Sequence, residues 1–174
     1  MPSRPHVFWL FGLSGAGKTT LATALHRALP GALLLDGDRL RAGLCRGLGF
    51  SDADRTENLR RAAEVARLGV ESGLVVIAAF ITPLQEQREM VRTLIGAERL
   101  SLIFVDAPLA VCRERDVKGL YAGAQRGAVQ GMTGVASVFE PGETVDLRLA
   151  TDGDVVALSA EKLVRFARER LGQS

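Results

Sequence analysis

Short apolar runs alternate with amphipathic stretches along most of this chain. In each run nearly every position is apolar, with many β-branched or aromatic residues, which is typical of parallel strands covered on both faces. The pattern predicts five strands, at His6–Phe11, Ala32–Leu35, Leu74–Phe80, Ser101–Val105 and Leu147–Leu149.

The stretches between these runs carry apolar residues at helical spacing. In the longest, Asp52–Glu71, the apolar side chains from Leu59 to Val70 fall on one face. Ser51 precedes it as a predicted N-cap, and Asp54 three residues later completes a capping-box arrangement. The other predicted helices are Leu21–Leu29, Leu84–Ile95, Leu109–Arg115 and Val155–Leu171.

Alternation of strand and helix predicts an α/β fold with a parallel sheet, right-handed crossovers and helices on both faces. The chain has 174 residues, of which 47% are hydrophobic. This size and composition are typical of one globular domain, which we expect to span residues 1–174. Ligands of such sheets bind at the carboxyl ends of the strands.

The stretch 116–143 breaks the alternation. It holds six glycines and shows little apolar periodicity. It is also too long for a plain connection in a compact domain. We interpret it as a mobile, glycine-rich lid.

The charge balance excludes a strongly basic nucleic-acid binder, because 22 basic residues face 20 acidic ones and the net charge is +2. Cys45 and Cys112 are far apart in sequence and are expected to be free thiols. The first apolar run is too short for a signal or membrane segment. We therefore expect a cytoplasmic protein that binds neither nucleic acid nor membrane.

Candidate chemistry begins directly after the first predicted strand. The segment from Gly12 to Thr19 fits G-x-x-x-x-G-K-[ST] and lies between a strand and a helix, the context of a phosphate-binding loop. Its backbone amides would bind phosphate, Lys18 would reach the β- and γ-phosphates, and the Thr19 hydroxyl would ligate Mg²⁺. The expected nucleotide-binding residues here are Gly12, Ser14, Gly15, Ala16, Gly17, Lys18, Thr19 and Thr20.

Two carboxylates follow the second predicted strand, at Asp36 and Asp38. At that edge of the sheet one carboxylate can accept a proton from an attacking hydroxyl and the other can hold Mg²⁺ through water. The spacing alone does not assign the two roles to the two carboxylates. Asp-Gly is also ordinary turn chemistry, so a plain turn remains the alternative.

Three polar side chains come next, and each could also be an ordinary surface residue. Arg55 and Asn58 lie three positions apart on one helical face and could grip a common ligand together with Arg41. Arginine suits phosphate or sulfate oxygens. Phe50 is either a small core residue or a stacking platform for a base.

Taken together, these segments resemble one family over nearly the whole chain, the adenylylsulfate kinases, which use ATP to phosphorylate the 3′-hydroxyl of adenosine 5′-phosphosulfate. The resemblance rests on seven segments: Gly12–Thr19, Leu35–Asp38, Leu48–Ser51, Asp54–Arg61, Ala79–Pro83, Arg115–Tyr121 and Thr133–Gly134. It implies a P-loop kinase fold, a three-layer sandwich with a five-stranded parallel core, and it implies a homodimer.

The resemblance also implies roles for individual residues. ATP and Mg²⁺ would be bound at the phosphate loop, with Arg115 as a further nucleotide contact. Asp36 and Asp38 would lie at the 3′-hydroxyl and the metal, and Phe50 would form one face of a clamp on the substrate adenine. The remaining substrate contacts would be Arg41, Arg55, Asn58, Ile81, Thr82, Lys118, Gly119, Leu120 and Met132.

Two substitutions depart from the family pattern at this expected site. Met132 stands where the family usually has the second phenylalanine of the adenine clamp, and methionine stacks less selectively on a ring. Thr82 replaces the usual serine. Because of Met132, a kinase for another nucleotide-linked acceptor, such as a cytidine diphosphate adduct, stays as an alternative. A second alternative is a nucleotide-binding module without catalysis. We also expect a free-standing kinase without a fused sulfurylase.

Overall fold

Five parallel strands form the centre of the computed structural model, which describes residues 4–116, 119–126, 133, 137–142, 144–153 and 156–173. They are β1 (His6–Phe11), β2 (Leu33–Asp36), β3 (Val75–Ala79), β4 (Leu100–Asp106) and β5 (Leu147–Ala150), in the spatial order β2-β3-β1-β4-β5. This confirms the predicted five-stranded parallel sheet.

Helices cover both faces of the sheet. They are α1 (Lys18–Ala28), α2 (Gly37–Ala42), α3 (Asp52–Glu71), α4 (Gln85–Ile95), α5 (Leu109–Arg115), α6 (Leu120–Gln125) and α7 (Val156–Arg170), with one 3₁₀ turn at Ala97–Arg99. The long helix α3 has the bounds that the sequence predicted, and Ser51 caps it by accepting a hydrogen bond from the Asp54 amide at 3.1 Å.

Strand β1 lies in the middle of the sheet and is buried along its whole length. Its alternate side chains divide the core into two layers. Phe8 and Leu10 pack in the cluster that contains α1 and α7 residues, whereas Trp9 and Phe11 pack in the cluster that contains α3 and α4 residues. This two-sided burial explains why the strand sequence is apolar at every position.

Two short helices were not predicted. At Asp36-Gly-Asp38 the plain turn kept as the alternative is not found, because Asp36 caps α2 by accepting a hydrogen bond from the Asp38 amide at 3.0 Å. In the predicted lid, Asp116 accepts hydrogen bonds from the amides of Tyr121 and Ala122, both at 3.0 Å, and α6 starts there.

The helix at residues 120–125 was therefore missed, whereas the lid itself stays a prediction. The signal was weak because α6 has only six residues, of which Tyr121 and Gly123 are buried. Residues 117–118, 127–132, 134–136 and 143 of the same stretch lie outside the described part of the chain. Within that described part, no helix is both long and apolar enough to cross a membrane.

Candidate active site

The phosphate loop, residues 12–19, leaves the carboxyl end of β1 and enters α1. Gly12 has φ +150°, and a Cβ atom there would lie only 2.3 Å from the Val105 carbonyl oxygen. Gly17 has φ +104° at the N-terminus of α1. Both positions require glycine, for lack of space at the first and for backbone conformation at the second. The loop therefore brings the N-terminus of α1, which attracts anions, to the carboxyl edge of the sheet.

Lys18 closes the loop on itself. Its Nζ atom donates hydrogen bonds to the carbonyl oxygens of Gly12 at 2.9 Å and Leu13 at 2.7 Å. The side chain is half-buried at the entrance of α1. This places the ammonium group at the centre of the loop, where the sequence motif predicted a contact with phosphate.

Side chains from outside the loop bind its next carbonyl groups. The Tyr121 hydroxyl donates to the Ser14 carbonyl at 2.9 Å. The Thr151 hydroxyl, which follows β5, donates to the Ala16 carbonyl at 2.8 Å. Arg115, an expected nucleotide contact, lies within 3.4 Å of the Gly15 carbonyl through Nη1.

Asp36 ends β2 beside the phosphate loop. The Thr19 hydroxyl donates to one oxygen of its carboxylate at 3.1 Å, while the other oxygen caps α2. Asp38 lies in the first turn of α2 and is exposed. A hydroxyl and a carboxylate are the hard oxygen donors that Mg²⁺ prefers, so Thr19 and Asp36 fit this metal. The structure thus places Asp36 next to Thr19, the expected metal ligand.

Arg41 and Phe50 form a stacked pair on the far side of α2. The Arg41 guanidinium lies 4.5 Å from the centre of the Phe50 ring and donates to the Gly49 carbonyl at 2.8 Å. Phe50 remains 67% exposed. This excludes the core interpretation of Phe50 and leaves an open aromatic surface with a cation beside it.

Arg55 holds the same segment from the first turns of α3. Its Nε donates to the Phe50 carbonyl at 2.9 Å, and its Nη1 donates to the Thr133 hydroxyl at 2.9 Å. Burial lowers the pKa of Arg55, as does the positive charge of Arg41, whereas Asp52 raises it. Two like charges this close attract an anion, as predicted for a phosphate or sulfate group.

Asn58 lies one turn further along α3 and is only 6% exposed. Its Oδ1 has no hydrogen-bond partner among the described residues. A buried oxygen without a partner costs about 1–3 kcal/mol, and a ligand donor would remove this cost. Arg41, Phe50, Arg55 and Asn58 together form the arginine–phenylalanine cluster.

The segment after β3 lies at the same edge of the sheet. The Ile81 carbonyl accepts a hydrogen bond from the Gly12 amide at 3.2 Å, so it touches the phosphate loop. Thr82 was expected to contact substrate, but it is 1% exposed and its hydroxyl accepts a hydrogen bond from the Trp9 indole at 2.9 Å. In this structure the Thr82 side chain is therefore part of the core and does not face the cleft.

The structure describes only some of the remaining residues that were expected to contact a ligand. Gly119 is exposed and Leu120 is half-buried at the start of α6, while Thr20 is exposed in the first turn of α1. Lys118 and Met132 lie outside the described residues. The contact of Thr151 with the loop was not predicted, although Thr151 is a polar residue directly after the last strand, where ligand-binding residues of such sheets lie.

Comparisons with known proteins decide the family. A family model described as adenylylsulphate kinase matches residues 4–150. The chain belongs to the adenylylsulfate kinase family. It is similar to the adenylyl-sulfate kinase of Aeromonas salmonicida, with 49% identity over 170 residues that cover 95% of this chain and 87% of the relative. It is also similar to that of Pseudomonas aeruginosa, with 47% identity over 94% of this chain and 85% of the relative.

A solved structure supports the same family membership. The Mycobacterium tuberculosis APS kinase in complex with AMPPNP and APS superimposes with a TM-score of 0.89 at 39% identity, covering 95% of this chain and 98% of that one. A hexameric APS kinase from Thiobacillus denitrificans superimposes with a TM-score of 0.72 at 27% identity, covering 99% of this chain and 30% of that one. The P-loop kinase fold predicted from the sequence is thereby confirmed.

Proposed function

We propose that this adenylylsulfate kinase family member transfers the γ-phosphoryl group of ATP to the 3′-hydroxyl of adenylylsulfate. The observation that carries the proposal is the arginine–phenylalanine cluster, in which Arg41 stacks on the exposed Phe50 ring and Arg55 binds the backbone carbonyl of the same residue. A nucleotide with an anionic tail matches both features. The relatives named adenylyl-sulfate kinase, and the relative solved with AMPPNP and APS, support this choice.

The donor phosphates would lie at the phosphate loop. Backbone amides and the dipole of α1 favour negative charge there, and the Lys18 ammonium group adds a full positive charge. As the bond between the γ-phosphorus and the oxygen of the leaving ADP breaks, its electron pair stays on that oxygen, where negative charge grows. Lys18 stabilises this charge more than that of bound ATP, so it lowers the barrier.

The acceptor hydroxyl must lose its proton as its oxygen attacks the γ-phosphorus. Because Asp36 lies beside Thr19, the expected metal ligand, we assign the proton to the exposed Asp38 carboxylate two residues later. This reverses the division of roles that the sequence suggested. Arg41 and Arg55 would bind the phosphosulfate group, and Asn58 would supply a buried hydrogen-bonding group beside them.

Mg²⁺ fits this site on the chemistry of its donors. Thr19 and Asp36 would hold the ion, with Asp36 acting directly or through water. When bound, the ion supplies positive charge that neutralises the phosphate oxygens of ATP.

The substrate is tested by an ADP-release assay with ATP, Mg²⁺ and a panel of acceptors. The panel contains adenylylsulfate and cytidine- and uridine-linked acceptors of similar charge. We expect a strong preference for adenylylsulfate, measured as kcat/KM. Turnover with only a pyrimidine adduct would overturn the proposed substrate and would point to Met132, where the family usually has phenylalanine. ATP binding without transfer to any acceptor would favour a module without catalysis.

We also propose that the chain forms a homodimer and works in the cytoplasm as one kinase domain, with residues 116–143 as a lid whose helix α6 is held on the phosphate loop by Tyr121. The resemblance to the family supports the dimer. Light scattering of the purified protein should give twice the chain mass of 18.6 kDa. A monomer, or a hexamer like the one named for the Thiobacillus relative, would contradict this expectation.

A further inference from the structure

We propose that Tyr121 and Thr151 are positioning residues of the phosphate loop, which aim two of its amide groups at the phosphates of ATP. The inference rests on the proposed function in one respect, that ATP is the phosphoryl donor. It assigns a role to two hydroxyl groups that lie outside the loop motif.

A hydrogen bond that fixes a carbonyl group also fixes the direction of the N–H group in the same peptide unit. In a trans peptide the C=O and N–H groups point in opposite directions across the C–N bond. Tyr121 holds the Ser14 carbonyl, so it fixes the direction of the Gly15 amide. Thr151 holds the Ala16 carbonyl, so it fixes the direction of the Gly17 amide.

The glycines of the loop leave its backbone flexible, so the direction of their amide groups needs to be fixed by other residues. Gly15 has φ +81° and Gly17 has φ +104°, and glycine visits both signs of φ with little cost. A loop with such freedom would spend part of its time with its amides turned away from the phosphates. External hydrogen bonds reduce this freedom before ATP arrives, so less entropy is lost on binding.

Both donors are themselves rigidly placed. Tyr121 is 4% exposed, and its backbone amide is held by the Asp116 carboxylate. Burial raises the pKa of the Tyr121 phenol to about 12, so it remains a protonated donor at neutral pH. The Thr151 amide donates to the Asp106 carbonyl at 2.8 Å, and Arg115 binds the Thr151 carbonyl. The loop is thus tied to α6 on one side and to the end of β5 on the other.

The test removes single hydroxyl groups without changing shape. Tyr121→Phe keeps the ring, Thr151→Val keeps the branched side chain, and Thr151→Ser restores the hydroxyl. Ser101→Ala is the matched control, because it removes a buried hydroxyl that contacts His6 at the opposite end of the sheet. The dissociation constant of ATP with Mg²⁺ is measured by calorimetry without acceptor, and KM is measured for both substrates.

We expect Tyr121→Phe and Thr151→Val to weaken ATP binding by about 3- to 10-fold each, the size typical of one buried hydrogen bond. KM for the acceptor should stay near its wild-type value, Thr151→Ser should recover most of the ATP affinity, and Ser101→Ala should leave it unchanged. An equal loss for ATP and acceptor, or no recovery by Thr151→Ser, would overturn the proposal. Because calorimetry needs no acceptor, an error in the proposed acceptor would leave this test intact.

Discussion

The phosphate loop and the arginine–phenylalanine cluster obtain their shape in different ways. The loop is one continuous segment whose carbonyl groups are held by Lys18, Tyr121 and Thr151. The cluster is gathered from α2, the following connection and α3. It keeps an exposed ring and a buried Asn58 oxygen that has no hydrogen-bond partner among the described residues. The difference indicates that the donor side is prepared before ATP binds, whereas the acceptor side is completed by its ligand.

Removal of the loop ammonium should give the largest effect. Lys18→Ala is expected to lower kcat by on the order of 10³, because transition-state charge loses its nearest cation. Lys162→Ala, on α7, is the control and should leave kcat unchanged. Circular dichroism should show both variants folded. A decrease of less than about tenfold would remove Lys18 from the catalytic role.

The two carboxylates separate the donor side from the acceptor side. Asp38→Asn should lower kcat by about 10²–10⁴ without changing the Mg²⁺ requirement, because it removes the proton acceptor. Asp36→Asn should raise the Mg²⁺ concentration needed for half-maximal rate. Titration of Mg²⁺ at saturating substrates measures both effects. The reverse pattern would restore the roles that the sequence alone suggested.

Loss of Arg55 should affect the acceptor alone. Arg55→Ala is expected to raise the acceptor KM by about 10- to 100-fold, the size of a lost hydrogen bond to a charged group. Arg60→Ala is the control on the same helix, since Arg60 is exposed and pairs with Glu57. Initial rates at varied acceptor and fixed ATP measure the change. If the ATP KM rose as much, the cluster would not be an independent acceptor site.

The exposed ring should contribute less than the arginine. Phe50→Ala is expected to raise the acceptor KM by about tenfold, as found for the loss of one stacked base. Phe50→Tyr should retain most of the affinity. Leu44→Ala, which removes another exposed apolar side chain of the connection between α2 and α3, should have no effect. Unchanged binding of the acceptor by Phe50→Ala would exclude stacking at this ring.

Acid should weaken the fold without acting through either half of the site. Burial lowers the pKa of His6 to about 4 from 6.5, and the nearby Arg170 lowers it as well. Between these values the unfolded chain binds more protons, so stability is complete above about pH 6.5 and falls as the pH drops toward 4. Urea unfolding at pH 7 and pH 5 should show this decrease, each pKa unit being worth about 1.4 kcal/mol.

The variant His6→Gln gives the control for that measurement. It should make the free energy of unfolding much less dependent on pH over this range, whereas His26→Gln should keep the dependence. An unchanged slope in His6→Gln would mean that other groups cause the acid sensitivity. Of all these variants, His6→Gln should change activity least. His6 contacts Ser101 at the amino ends of the strands, away from the phosphate loop.

The sequence predicted the strands, the long helices and the phosphate loop because each rests on a local signal. Strand β1 is almost entirely apolar. In α3 the N-cap residue and the apolar face both lie within one continuous stretch of sequence. The core position of the Thr82 side chain was not predicted, and the roles of Asp36 and Asp38 stay predictions. Whether Thr82 faces the cleft depends on Trp9, 73 positions away, and no local pattern carries this information.

Large separation in sequence also explains why Tyr121 and Thr151 were not predicted as partners of the loop. Tyr121 is 107 positions from Ser14, and Thr151 is 135 positions from Ala16. Such contacts arise only when the sheet brings the carboxyl ends of β1 and β5 to one edge. The helix α6 that carries Tyr121 is too short and too rich in glycine and alanine to show an apolar face.

The hydrogen bond between Trp9 and Thr82 gives the protein a built-in optical signal. Trp9 is the single tryptophan of the chain, is fully buried, and stacks on Phe80 at 5.0 Å between ring centres. Its indole group donates to Thr82 in the segment that follows β3. The same segment contacts the phosphate loop through the Ile81 carbonyl. A displacement of that segment would change the surroundings of Trp9, so ligand binding that moves it would alter the fluorescence of this one side chain and could be followed without an added dye.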